Sequence, residues 1–83
     1  MELTSGKLYQ VAMPYLPAWT HNRFGDNRFT YDFHLIVGSI VLYTGNTVSD
    51  IFYKVKYYSF LYGTKIIWIE YKGYNSHILE GLE

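Results

Sequence analysis

"IFYKVKYYSFLYGTKIIWIEYK" runs from Ile51 to Lys72. It holds two runs rich in β-branched and aromatic residues, Ile51 to Tyr62 and Thr64 to Lys72, and such residues favour strands. They meet at "LYGTK", where Gly63 can take positive φ and close a tight hairpin. In the first run, Ile51, Tyr53, Val55, Tyr57 and Leu61 lie on one face. Phe52, Lys54, Lys56, Tyr58, Phe60 and Tyr62 lie on the other. The lysines place this second face toward solvent, at least over its first half. That leaves Phe52, Tyr58, Phe60 and Tyr62 partly exposed unless a bulge switches the register. The second run lacks alternation, and "IIWI" reads as buried on both sides, which predicts a central strand.

Working outward, two more runs are punctuated by Gly, Asn and Pro. Lys7 to Met13 follows Gly6 and stops at Pro14. His34 to Thr44 ends at Gly45-Asn46. Between them lies a long irregular loop, Pro14 to Phe33. The tail "NSHILEGLE" predicts one helical turn from Ser76 and then a short closing strand. Only two alanines are present, and no helical period emerges. At 83 residues the chain is read as one domain, residues 1–83. Several short strands without a long helix predict an all-β fold of about five strands, a small barrel or sandwich.

The pattern resembles an SH3-like barrel. The features are the long loop after the first strand, "VGSIVLY" at Val37 to Tyr43, two strands joined by a tight turn, and a helical turn leading into "ILEGLE". The resemblance implies a small all-β barrel with a long first loop. Peptide-binding members carry an acidic loop and paired tryptophans. Here the loop sets Arg23 and Arg28 against Asp26 and Asp32, and the last long run has Trp68 alone, so a proline-motif groove is not implied. An OB-fold would need five full strands, which are hard to fit.

Formal net charge is zero. That argues against a general nucleic-acid binder, which carries a positive excess to displace counterions. There is no cysteine, so disulfide and thiolate chemistry are excluded. The lack of disulfides and the absence of a basic n-region with an apolar h-region predict a cytoplasmic chain. "LIVGSIVLY", Leu35 to Tyr43, is too short for a bilayer-spanning helix, so no membrane partner is expected. Residues with AT-rich codons outnumber those with GC-rich codons more than two to one. Short, aromatic, cysteine-free and AT-biased, the chain resembles in genre the small accessory proteins of large tailed bacteriophages, which serve host takeover or anti-defence. That resemblance implies an effector in the host-cell cytoplasm that binds and inhibits or redirects a host protein.

Asn-Arg-Phe occurs twice in "NRFGDNRFTYD", Asn22 to Asp32. Gly25-Asp26-Asn27 is turn chemistry, which sets the two copies on the arms of an irregular hairpin. In the plain reading the arginines pair with Asp26 and Asp32 and the phenylalanines cap the barrel. In the functional reading Trp19, Arg23, Phe24, Arg28, Phe29 and Tyr31 form a partner-binding surface, since Trp, Tyr and Arg dominate binding hot spots. Pro14-Tyr-Leu-Pro17 is an extended, stiffened start to this loop.

A second candidate is a lysine strip. Lys54, Lys56, Tyr58, Lys65 and Trp68 interleave cations and aromatics, as in sequence-tolerant single-strand binders. Its plain reading is a strand face guarded by lysines. His21, His34 and His77 have no metal-ligand spacing, and no serine sits in a nucleophile elbow. No metal, cofactor or catalytic residue is expected. The sequence thus predicts a non-catalytic module that binds a host protein. The alternatives are a weak single-stranded nucleic-acid binder and a self-associating structural component, a homo-oligomer.

Overall fold

A computed structural model of the chain describes residues 3–21, 29–50, 54–70 and 78–82. It is all-β, as expected. Seven strands run in chain order: β1 (Leu8–Val11), β2 (Leu16–His21), β3 (Phe29–Leu35), β4 (Ile40–Asp50), β5 (Val55–Tyr62), β6 (Lys65–Glu70) and β7 (Leu79–Gly81). They form one antiparallel sheet in the order β3-β2-β6-β5-β4-β1-β7. Among the described residues no ladder joins β3 to β7, so the sheet is not a closed barrel. Nor does any helix there have the length and apolarity to cross a membrane.

The β5–β6 hairpin follows the sequence reading. Tyr62 pairs with Lys65 across Gly63-Thr64, and Gly63 has φ 61°. β6 lies inside the sheet, with Ile67, Trp68 and Ile69 buried, but Ile66, expected to be buried with them, is 48% exposed near the hairpin turn. The closing strand is β7, which pairs with β1, whereas the helical turn expected from Ser76 lies outside the described residues.

Other boundaries differ. The expected loop from Pro14 to Phe33 contains β2 and most of β3, which raises the count from about five strands to seven. The run His34 to Thr44 is cut by a turn at residues 36–39. Gly38 takes φ 93°, and the Ser39 amide and hydroxyl both donate to the Ile36 carbonyl, at 3.1 and 2.8 Å. Gly45-Asn46 does not end a strand. It is a bulge inside β4, where the residues from Tyr43 to Thr47 oppose only Phe60 to Tyr58. Gly45 takes φ 94°, and a Cβ there would lie 2.6 Å from Ser5 Oγ.

With no α-helix among the described residues, a single sheet can bury a core only by coiling around it. Here Tyr9, Val11, Ala18, Leu35, Val41, Phe60, Ile69 and Leu79, drawn from all seven strands, meet in one cluster. This inner face corrects the reading of β5. Phe60 was expected to be partly exposed, yet it is 0% exposed, with its ring against Tyr9 and Tyr43. Tyr58 packs half-buried on the same cluster. Lys56 shares that side of the strand but lies toward the end of the β4–β5 hairpin, beyond the core. One face of β5 therefore passes from solvent to core along its length, with no register change in its pairing with β6.

Candidate functional site

The outer face of the sheet is built around β2. Its inner positions, Leu16 and Ala18, face the core, so Trp19 and His21 point outward. A bulge in β3 then gathers more rings. Ala18 pairs with Phe33 but Trp19 pairs with Tyr31, so Asp32 is the extra residue. The shift puts Tyr31 and His34, three residues apart, on the same face. The Tyr31 hydroxyl and His34 Nδ1 share a hydrogen bond.

The rings form a continuous chain of contacts. Tyr15 meets His34 edge-on at 6.0 Å, His34 meets Tyr31 at 5.0 Å, and Tyr31 meets Trp19 at 5.9 Å. Trp19 meets Tyr57 at 6.0 Å, and Tyr57 stacks on Phe29 at 3.8 Å. Phe29 stacks in turn on His21 at 4.6 Å, and both press edgewise on Trp68. Burial grades along the chain. Trp68 and Tyr57 are buried, Trp19 and Phe29 half-buried, Tyr31 44% exposed and Tyr15 71% exposed. Buried Tyr57 thus supports Trp19, which in turn meets exposed Tyr31, so these rings have less side-chain freedom to lose on contact, while Tyr15 rests against the exposed His34. Tyr15 is also strained, with φ 58°, a region where a non-glycine residue costs about 1–3 kcal/mol.

Beside Trp19 lies a pocket of about 210 Å³ lined by Met13, Leu16, Pro17, Trp19, Glu70 and Ile78. That is below the roughly 300–1,000 Å³ of metabolite sites. It suits one inserted side chain. His21 Nδ1 is buried and finds no hydrogen-bond partner among the described residues.

Of the expected partner-binding residues, Trp19, Phe29 and Tyr31 come together on this face. Arg23, Phe24 and Arg28 lie outside the described residues. The Asp32 carboxylate, expected to meet an arginine, pairs with Lys65. Sequence reasoning missed Tyr15, His34 and Tyr57 as members of the tract. The signal for His34 was masked by the bulge, which breaks the alternation of β3.

The lysine strip is spread over both faces. Trp68 points outward, under His21 and Phe29, whereas Tyr58 points inward. Lys54 is exposed in the β4–β5 turn at φ 53°, and Lys56 Nζ lies 5.4 Å from the Tyr58 ring centre. Lys65 stands at the far end of the hairpin, about 20 Å along the strand from Lys56, with Nζ 5.2 Å from the Phe33 ring centre. Among the described residues no three His, Cys, Asp or Glu side chains gather as metal ligands. One electrostatic perturbation falls on Tyr43, whose phenol is raised above its ordinary range by burial, then by the neighbouring Tyr58 and Tyr9 phenols. No protein-family model, curated protein or solved structure matches this chain.

Proposed function

We propose that the chain is a non-catalytic binding module that contacts a protein partner through the aromatic tract from Tyr15 to Trp19. The observation that carries this reading is the tract's graded burial beside a pocket sized for one side chain. Exposed Tyr15 and Tyr31 supply anchor surface, and the hollow beside Trp19 accepts an anchor from the partner, the arrangement typical of hot spots. The strained, exposed Tyr15 adds support, since strain of this kind concentrates at contact and switch sites. In the phage-like setting that the composition resembles, such a module acts sterically, covering a host protein and inhibiting or redirecting it.

The test is capture of partners from bacterial lysate by the tagged chain, with and without nuclease. A stoichiometric protein that survives nuclease is expected, and Trp19→Ala or Tyr31→Ala should weaken its binding by about thirtyfold or more, the threshold for a hot spot. Lys54→Ala with Lys56→Ala should leave it unchanged. Recovery of RNA or DNA, lost when those lysines are removed, would overturn the reading in favour of single-strand binding.

A further inference from the structure

The hollow beside Trp19 is apolar on every wall but one. Met13, Leu16, Pro17 and Ile78 line it with apolar side chains, Trp19 with an indole, and Glu70 with a carboxylate. Strand register brings the carboxylate there. Trp19 on β2 pairs with Trp68 on the antiparallel β6. Two residues back along β2 and two on along β6, Pro17 and Glu70 fall on the same face as the tryptophans. Tyr57 of β5 flanks Glu70 on its other side by direct pairing. Glu70 is half-buried, so its charge is partly withdrawn from water.

That single charge decides what the hollow accepts. Among the six lining side chains only the Trp19 indole can donate a hydrogen bond, and none is a cation. An aliphatic or phenyl anchor covers Glu70 and strips it of water without replacing what is lost, which costs affinity. An acidic anchor meets like charge. A basic side chain does neither. Its stem lies along apolar walls while its head stays with polar groups. The head pairs with the carboxylate, and the quadrupole of the Trp19 ring attracts it as well. Glu70 already makes an interaction within the chain. A carboxylate has two oxygens and about four lone-pair positions, so it can take a second donor.

Arginine suits the hollow better than lysine. Its planar guanidinium is weakly hydrated, stacks on aromatic rings and reaches a carboxylate through two parallel bonds. A lysine ammonium is strongly hydrated and gives up more on entering a space of about 210 Å³. Arginine is also enriched at interfaces, where lysine is depleted.

We infer that the anchor seated in this hollow is a cationic side chain of the partner, an arginine, held between Trp19 and Glu70. The inference rests on the partner-binding reading for its setting, but its chemistry is tested without a partner. The probe is the blocked tripeptide acetyl-Gly-Arg-Gly-amide, titrated into the purified chain and followed by NMR at the Trp19 indole N–H. Companion peptides carry lysine or citrulline in place of arginine. Citrulline keeps the shape and loses the charge. Arginine should move the signal saturably and bind about tenfold or more tightly than citrulline, the worth of a hydrogen bond to a charged group. Lysine should fall between them. High salt should weaken the arginine peptide and spare the citrulline one. Glu70→Gln, which keeps the size of the side chain, should erase the preference for arginine. Melting checks that this variant is folded, and the arginine–citrulline comparison on wild type needs no variant.

Equal binding of arginine and citrulline would overturn the inference. So would a Trp19 signal that arginine leaves unmoved, or a folded Glu70→Gln chain that keeps the preference. Lysate capture separates this inference from the reading it rests on. A partner lost on Trp19→Ala but held by Glu70→Gln would overturn the inference and leave the partner-binding reading standing. Arginine bound at Trp19 with no protein captured would do the reverse.

Discussion

Phe60→Ala tests which side of the sheet is inside, and so which aromatics are free to bind. Phe60 has no exposed surface, and its ring lies 6.5 Å from Tyr9 and 5.3 Å from Tyr43. Truncating a buried Phe to Ala costs about 3–5 kcal/mol, through lost transfer energy and the cavity left behind. A domain of this length has only about 4–12 kcal/mol in hand. At roughly 4–8 °C per kcal/mol, the melting temperature should fall by some 12–40 °C. Tyr62→Ala is the control. It lies two residues on, on the same side, but is 37% exposed, and should cost about 1 kcal/mol or less. Urea unfolding followed by tryptophan fluorescence gives both values, with equal slopes confirming that only stability has changed. If Phe60→Ala cost no more than Tyr62→Ala, the inner and outer faces would be exchanged. Trp19 and Tyr31 would then belong to the core, and the binding tract would not exist.

Four further outcomes are expected. Tyr15→Gly should hold or raise stability, by about 1 kcal/mol at most, because it relieves a φ of 58°, yet it should weaken partner capture. Melting and pull-down of the same variant check both halves. His21→Phe removes a buried nitrogen without a partner among the described residues, and should stabilise by about 1 kcal/mol in thermal unfolding. Gly45→Ala should destabilise by about 1–3 kcal/mol in urea, and Ser5→Gly should not restore it, since the φ of 94° remains after the clash with Ser5 is gone. For Tyr43, burial favours the neutral phenol in the folded state, so its contribution is full below the ordinary tyrosine value near 10 and is lost as pH rises through the higher folded value. Melting temperature above pH about 10 should therefore fall more steeply for wild type than for Tyr43→Phe.

What the sequence made legible was local. The β5–β6 hairpin shows itself because a glycine separates two β-rich runs, and "IIWI" marks an inner strand because neither face is polar. The facing of β5 was not legible, because Lys54 and Lys56 report on a hairpin end that projects past the core. Alternation names two faces but does not say where the core stops. β2 was hidden by Pro17 within the strand, and β3 by the extra residue Asp32, which breaks its period. Leu8, Leu42, Leu61 and Ile66 could not be seen as neighbours, because they lie far apart in the chain and align only through a register that depends on the bulge inside β4.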